Sequence, residues 1–148
     1  MFGVRINTAT IHDVDTLVSL FKQTIDAKKH GVYTYIQKHV RNKQIRCLKT
    51  EDGIIGAYIY TISRYSNPYT KVLYKQRVCW LDQLMIFPWA QQRGYGKELM
   101  KDFLQIQTKE FRLLCLRPLI NYYQQFNFEV VETNMRKGGE YFVLRKHI

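Results

Sequence analysis

The apolar positions of the chain follow two periods, that of a helix and that of a strand. Helical spacing first runs from Val14 to about Ile25. It follows Thr10–Asp13, which resembles a capping box with Asp13 in the Glu/Gln role. The same spacing predicts three further helices: Tyr33–Val40, Tyr95–Gln107 and Leu119–Phe126.

Strand-like alternation or short apolar runs occupy most of the remaining sequence. The predicted strands are Phe2–Asn7, Gln44–Lys49, Ile54–Ile62, Arg77–Phe87, Phe111–Leu116, Phe128–Asn134 and Tyr141–Lys146. Hairpin turns are expected at Glu51–Gly53, since Asp-Gly tolerates positive φ, and across Gly138–Gly139. Arg64–Gln76 is predicted to be a polar, tyrosine-bearing loop. The order β-α-α-β-β-β-α-β-α-β-β predicts an α/β fold, with hairpins and crossovers around one largely antiparallel mixed sheet, in a single domain over residues 1–148.

Composition narrows the class of protein. Hydrophobic residues make up 46% of the 148 residues, enough to form a core, and no apolar run approaches the ~20 residues of a membrane span. The N-terminal Met1–Arg5 lacks the design of a signal peptide. Cys47, Cys79 and Cys115 are odd in number and dispersed, so we expect buried thiols, with no disulfide framework and no metal site. We therefore expect a cytoplasmic protein without a membrane partner.

Charge is distributed unevenly along the chain. The net charge is +11, and residues 27–81 hold eleven basic residues against two acidic ones. Such an excess favours an anionic partner, which is a phosphorylated cofactor, a nucleic acid or an acidic protein. A solvated basic surface that keeps the protein soluble explains the same excess equally well.

The segment Leu84–Lys97 joins an apolar strand to a helix through a glycine-bearing turn. Such a turn directs several backbone N–H groups to one point, where the positive end of the helix dipole also lies, and this arrangement binds pyrophosphate. Arg93, Lys97 and Lys101 are candidate counter-charges. The glycine spacing alone favours a plain strand–helix turn, and it is neither a P-loop nor a dinucleotide fingerprint.

Two motifs in this sequence resemble those of one family. Gln91-x-x-Gly94-x-Gly96 is similar to the Q/R-x-x-G-x-G/A signature of the GNAT superfamily of acyl-CoA-dependent N-acetyltransferases. Asn121–Phe128 resembles the family's F-Y-x-x-x-G-F box, and the two motifs follow in the family's order. Asn127 replaces the usual glycine of that box, and we expect the turn to survive because Asn tolerates left-handed geometry. Asn121 replaces a residue that is frequently small.

The resemblance implies a GNAT-like fold with a splayed central sheet and acetyl-CoA as co-substrate. It implies that Leu84, Met85 and Ile86 hold the pantetheine arm through strand backbone groups. Backbone N–H groups near Met85 and Ile86 could also stabilise the oxyanion of the tetrahedral intermediate. The remaining implied contacts to acetyl-CoA are those of the loop and of the second box: Gln91, Gln92, Arg93, Gly94, Tyr95, Gly96, Lys97 and Asn121.

Two residues are candidates for proton transfer. The resemblance implies that Tyr123 lies beside the thioester sulfur and protonates the departing thiolate, although Tyr123 also suits an aromatic core. Asp82 is the first candidate for a base that deprotonates the amine. The alternative, which the sequence slightly favours, is a solvent-facing or ion-paired Asp82, with water and backbone carbonyls taking the proton. His12, His30 and His39 are expected to be surface histidines.

The implied reaction is direct attack of a primary amine on acetyl-CoA in a ternary complex. The charge excess favours an acceptor that is anionic or sits on an anionic carrier, and leaves peptide, small molecule and aminoacyl-tRNA open. A toxin-like enzyme acting on aminoacyl-tRNA is one alternative, because Tyr65, Tyr69 and Tyr74 interleave with basic residues and suit stacking on bases. A catalytically silent CoA-binding module is another. The sequence leaves open whether the protein forms a homodimer.

Overall fold

The computed structural model describes residues 3–22, 24–25, 31–65, 73–136 and 139–147. Within these residues, seven strands and four α-helices follow one another in the predicted order. The strands are β1 (Arg5–Thr8), β2 (Ile45–Thr50), β3 (Gly53–Tyr65), β4 (Leu73–Ile86), β5 (Glu110–Leu116), β6 (Glu129–Arg136) and β7 (Gly139–His147). The helices are α1 (Val14–Phe21), α2 (Val32–Arg41), α3 (Tyr95–Phe103) and α4 (Ile120–Gln124).

The strands form one sheet in the order β1-β2-β3-β4-β5-β7-β6. The pairs β1–β2, β2–β3, β5–β7 and β6–β7 are antiparallel. Strands β4 and β5 are parallel, with Cys79 opposite Phe111, and α3 lies between them in the chain as a crossover helix. The predicted mixed α/β class with a mostly antiparallel sheet is confirmed.

Several predicted boundaries are wrong. The loop expected at Arg64–Gln76 is too long, because β3 continues to Tyr65 and β4 begins at Leu73, while residues 66–72 lie outside the described residues. Polar segments can extend a strand wherever a neighbouring strand satisfies their backbone groups, and a hydrophobic pattern does not register this. The first strand, predicted at Phe2–Asn7, runs from Arg5 to Thr8 instead, and Phe2 lies outside the described residues.

Two helices end earlier than their apolar spacing predicts. Helix α1 ends at Phe21 rather than near Ile25, since the N–H groups of Thr24 and Ile25 both donate to the Phe21 carbonyl in a closing turn. Helix α3 ends at Phe103 rather than at Gln107 because Gln105 N–H donates to the Asp102 carbonyl at 3.0 Å, which tightens the last turn.

Residues Met1–Tyr60 and Gln83–Gln105 form the first of two compact units. Its main core joins α1 and α2 to one face of β2 and β3, and includes the fully buried Phe21, Ile36 and Cys47. Strand residues alternate between faces, so Tyr58 points away from this core, where its ring meets Phe103 of α3 at 5.5 Å.

Residues Thr61–Asp82 and Ile106–Ile148 form the second unit. Val78, Trp80 and Val143 are the buried residues of one of its clusters, against which Leu114 and Val131 pack. A buried ion pair joins Arg112 and Glu110, both of β5. Charges buried this deeply require such pairing.

The three cysteines are unbonded and buried, as predicted. Burial raises the pKa of Cys47 and of Cys79 to about 12, and that of Cys115 to about 11. All three thiols therefore stay protonated at neutral pH. None of the helices in the described part of the chain has the length and apolar character needed to cross a membrane.

Candidate active site

The loop between β4 and α3 adopts the conformation of an anion cradle. Gln92 (φ 64) and Gly94 (φ 86) are both left-handed, and Gly94 is the residue that precedes α3. The first three N–H groups of this helix, on Tyr95, Gly96 and Lys97, have no intrahelical acceptor, and no side chain caps the helix. A Cβ built on Gly94 meets no atom of the described chain within 4 Å, so open space lies in front of the turn. Alternating backbone hand and unused N–H groups are the features that bind phosphate.

Gln91 attaches the start of this loop to the end of β4. Its side-chain amide donates to the Ile86 carbonyl at 3.0 Å. The backbone N–H of Phe87 donates to Ile55 of β3 at 2.9 Å, and the rings of Phe87 and Trp89 stack at 6.0 Å. The Gln91 amide is therefore occupied in holding the loop, whereas the exposed Gln92 and Arg93 extend beyond it.

Gly56 of β3 packs closely against the end of β4 and against α3. A Cβ at Gly56 would overlap the Ile86 Cδ1 atom, and would lie 3.0 Å from the Met85 carbonyl oxygen and 3.3 Å from Leu99 Cδ1. A side chain at position 56 would therefore displace the end of β4 and the first half of α3 together. Gly56 therefore determines how closely the end of β4 and the first half of α3, which flank the loop at Gln91–Gly96, pack on β3.

The end of α3 is fixed by a polar network. Arg46 donates two hydrogen bonds to the Asp102 carboxylate, each 3.0 Å long, and the Tyr58 hydroxyl donates to the same carboxylate at 2.6 Å. A further N–H of Arg46 donates to the Thr8 hydroxyl at 3.1 Å. Bidentate pairing fixes orientation as well as distance, so the network holds α3 against β2 and β3.

The three predicted counter-charges differ in their surroundings. Arg93 and Lys97 are exposed beside the loop. Lys101 is one turn further along α3, where it pairs with Glu98 at 3.7 Å. Because that pair is exposed, it holds Lys101 weakly and leaves its charge available to an anion.

The residues predicted to hold the pantetheine arm end strand β4. Met85 packs against the core of α1 and α2, and Ile86 is buried. Leu84 is half-buried. Two of these three side chains are thus engaged in packing, and contact with the ligand through backbone groups stays a prediction.

Tyr123 lies in the second unit, on α4, within a group of aromatic rings. Its ring meets Tyr122 at 5.1 Å and Phe128 at 6.3 Å, both edge to face. Burial, with a smaller effect of Tyr122 and Cys115, raises the pKa of Tyr123, so the hydroxyl keeps its proton at neutral pH. Asn127 is left-handed (φ 70), so the predicted turn survives without glycine. Asn121 is exposed.

Asp82 is a partly buried residue of β4, also in the second unit. Burial raises its pKa to about 7, and a hydrogen bond from Thr61 opposes that shift. Within the described part of the chain, no cation pairs with this carboxylate. The ion-paired alternative for Asp82 therefore finds no support among those residues. A carboxyl with a pKa near neutrality suits proton transfer.

One histidine prediction is wrong. His39 is buried, and its Nδ1 lies 2.8 Å from the Tyr35 carbonyl oxygen. Burial lowers the pKa of His39, against the effect of that hydrogen bond. The prediction relied on the polar residues around His39 in the sequence, whereas in helix α2 this position faces the core. His12 is exposed as predicted, and His30 lies outside the described residues.

Sequence reasoning missed Gly56 and the Arg46–Asp102 pair. A lone glycine inside a strand pattern is a recognised sign of close backbone approach, and that signal was present at Gly56. Asp102 lies in the last turn of α3, where the helix dipole disfavours an acid, so a cationic partner was to be expected. Nothing in the sequence indicated that this partner is Arg46.

Comparison with known protein families identifies the family of this chain. The model of the acetyltransferase (GNAT) family matches residues 14–128, so this chain belongs to the GNAT family of acetyltransferases. A search of curated proteins found no match.

Solved structures show the same fold. A GNAT-family acetyltransferase from Bacillus cereus superposes with a TM-score of 0.72 at 16% identity, covering 98% of this chain and 97% of that one. Arabidopsis thaliana NAA60 in complex with acetyl-CoA gives 0.77 at 12% identity, covering 99% of each chain. Arabidopsis thaliana Naa50 in complex with the bisubstrate analogue CoA-Ac-MVNAL gives 0.75 at 14% identity, covering 98% of this chain and 99% of that one.

Proposed function

We propose that this chain is an N-acetyltransferase that moves the acetyl group of acetyl-CoA to a primary amine by direct attack in a ternary complex. The observation that carries the proposal is the loop at Gln91–Gly96, whose left-handed residues and unused N–H groups suit a pyrophosphate. Arg93 and Lys97 add positive charge at the same end of α3. The fold supports the proposal, because similar structures were solved with acetyl-CoA or a CoA-linked peptide analogue.

In the proposed reaction the amine nitrogen attacks the thioester carbonyl carbon, and a C–N bond forms. The tetrahedral intermediate collapses as the C–S bond breaks, and the thiolate leaves. We assign Tyr123 as the donor that protonates this thiolate. Two features support the assignment: its hydroxyl is protonated at neutral pH, and no residue of the described chain hydrogen-bonds it.

We assign Asp82 as the base that removes a proton from the substrate ammonium, directly or through water, so that the neutral amine can attack. A base works best when its pKa lies near the working pH, and that of Asp82 is about 7. Asn121 is the least supported member of the proposed acetyl-CoA set, since it is exposed on α4 and its contacts give it no distinct role.

The acceptor is proposed to be anionic or carried on an anion, because the net charge is +11. A peptide acceptor has the more specific support, since one similar structure is a NatC complex bound to Gag peptide and CoA. The aminoacyl-tRNA alternative rested partly on Tyr69, which lies outside the described residues. A silent CoA-binding module would not need the protonated Tyr123 or the poised Asp82.

The decisive experiment incubates the protein with radiolabelled acetyl-CoA and lysate separated into protein, RNA and small-molecule fractions. We expect label in one fraction, with no labelled enzyme intermediate after rapid quenching. Label in RNA would select the tRNA alternative. Acetyl-CoA binding with no transfer to any fraction would select the silent module instead.

A further inference from the structure

A second concave surface of the first unit lies between the Thr8–Val14 segment and helix α2. It encloses about 980 Å³, and we call it the α2 groove, defined by Thr8, Ile11, His12, Tyr33, Arg41 and Lys43. The groove and the phosphate loop lie at opposite ends of β2. Thr8, which lines the groove, pairs with Arg46 near the first residue of β2. At the other end, the backbone N–H of Phe87, which precedes the phosphate loop, donates to the carbonyl of Ile55 in β3, and Ile55 lies beside the last residues of β2.

The groove exposes apolar side chains from two separate elements. Ile11, in the turn before α1, is 76% exposed, and Tyr33 of α2 is 49% exposed. Both line the same concavity. Large apolar side chains exposed together on a concave surface are typical of a binding site, because covering them removes apolar surface from water.

The same groove carries positive charge. Arg41 and Lys43 line it, and neither forms an ion pair with an acid of the described chain. Asp13, the acid within the Thr8–Val14 segment, is already paired with Lys49 at 3.1 Å and accepts a hydrogen bond from Thr10 N–H at 2.9 Å. The groove therefore presents uncompensated cations beside exposed apolar groups.

Lys43 occupies a position that favours glycine. Its φ is 59, and its N–H donates to the Val40 carbonyl at 3.0 Å to close α2. Glycine is the usual residue in this left-handed position after a helix, and a side chain there costs roughly 1 kcal/mol. Strained residues of this kind point to a role for the side chain itself.

We propose that the α2 groove binds a peptide segment of a partner protein that combines acidic and large apolar residues. The partner's carboxylates pair with Arg41 and Lys43, while its apolar side chains cover Ile11 and Tyr33. A second copy of this chain is a poor occupant, since each copy carries a charge of +11. A nucleic acid would require a longer row of cations than these two. The inference does not depend on acetyl transfer, because none of these residues takes part in the proposed reaction.

The test begins with a displayed library of random peptides, selected on the full chain. Selected peptides are then synthesised and their binding is measured by fluorescence anisotropy. We expect Asp or Glu beside Leu, Ile, Phe or Trp in the selected sequences. The double variant Arg41→Glu/Lys43→Glu should bind them at least about tenfold more weakly. Lys109→Glu changes an exposed lysine outside the groove, and should bind as the wild type does.

Two single variants separate binding from folding. Lys43→Gly should raise Tm, since glycine fits φ 59 better, yet weaken peptide binding about two- to fivefold. Ile11→Ser should leave Tm unchanged and weaken binding, because Ile11 is 76% exposed.

Three results would overturn the proposal. The first is a selection without acidic-apolar peptides, or with peptides that bind the double variant and Lys109→Glu equally well. The second is binding of random-sequence RNA with a steep salt dependence that the double variant loses, which would make the groove a nucleic-acid surface. The third is self-association by sedimentation that the double variant abolishes, which would make the groove a dimer contact.

Discussion

Arg46 and Asp102, 56 residues apart in sequence, meet through two hydrogen bonds of 3.0 Å. The contact fastens the last turn of α3 to β2, while the first turn of α3 follows the loop at Gln91–Gly96. A helix held at its far end presents its N-terminal N–H groups in one fixed direction. This pair therefore contributes both to the stability of the first unit and to the geometry of the loop.

Asp102→Asn should lower the free energy of unfolding by about 1–3 kcal/mol, because it leaves the partly buried Arg46 without its anion. Burial raises the pKa of Asp102, but hydrogen bonds from Arg46 and Tyr58 outweigh it and hold the pKa below its usual value. The ionised Asp102 therefore stabilises the folded state fully above the unfolded pKa of about 3.9, and this stabilisation is lost as pH falls through the lower folded pKa. Urea unfolding measured between pH 7 and pH 2 should show that the free energy of unfolding falls less with acid in Asp102→Asn than in the wild type. An identical pH slope in both proteins would contradict this coupling.

Gly94→Asp should abolish the increase in Tm that acetyl-CoA produces in the wild type. The substitution puts a carboxylate into the open space in front of the loop, where the pyrophosphate is proposed to bind. Gly94→Asn is the matched control, since it has the same shape without the charge and tolerates φ 86. It should keep part of the increase. A folded Gly94→Asp protein with the full increase would remove the loop from the proposed binding site.

Tyr123→Phe keeps the ring packed against Tyr122 and Phe128 and removes the hydroxyl. We expect kcat to fall at least tenfold with little change in the affinity for acetyl-CoA, since a positioned acid contributes about 10²–10⁴-fold. Tyr122→Phe, one residue away in the same cluster, is the control and should keep its turnover. Equal turnover in wild type and Tyr123→Phe would assign Tyr123 to packing.

Asp82→Asn should lower kcat and flatten the acidic limb of the pH–rate profile, which the wild type should show near the Asp82 pKa of about 7. Because the folded pKa exceeds the unfolded value of about 3.9, Asp82 costs stability as pH rises from about 4 to 7. The variant should therefore be more stable than the wild type at pH 8. If Asp82→Asn gains stability but keeps the wild-type pH–rate profile, Asp82 is a buried carboxyl and not the base.

Gly56→Ala should destabilise the chain by about 1–3 kcal/mol, because the added Cβ overlaps Ile86 Cδ1. Ile86→Val removes that atom. The double variant should recover part of the loss, so a double-mutant cycle should show a non-additive gain. Gly3→Ala is the control, since a Cβ at Gly3 meets nothing within 4 Å. Strict additivity would mean that position 56 does not contact Ile86.

The order of elements and the left-handed turn at Gln91–Gly96 could be predicted from the sequence because both depend on local properties. Periodicity over a few residues separates helices from strands, and Gln91-x-x-Gly94-x-Gly96 places glycine where the left-handed turn requires it. The capping segment at Thr10–Asp13 was predictable for the same reason, and Thr10 N–H does donate to Asp13 at 2.9 Å. Element ends were less predictable, because they depend on which neighbouring backbone groups complete the last hydrogen bonds.

The tertiary structure alone decided which distant residues meet and which polar groups lose water. Arg46 finds Asp102, and Gly56 lies against Ile86 and Leu99, because strand pairing and helix packing bring these segments together. The raised pKa of Asp82 likewise follows from burial, which no local pattern contains. Packing and desolvation are sums over contacts from the whole chain, so the sequence supplied the candidate residues, and the fold set their surroundings.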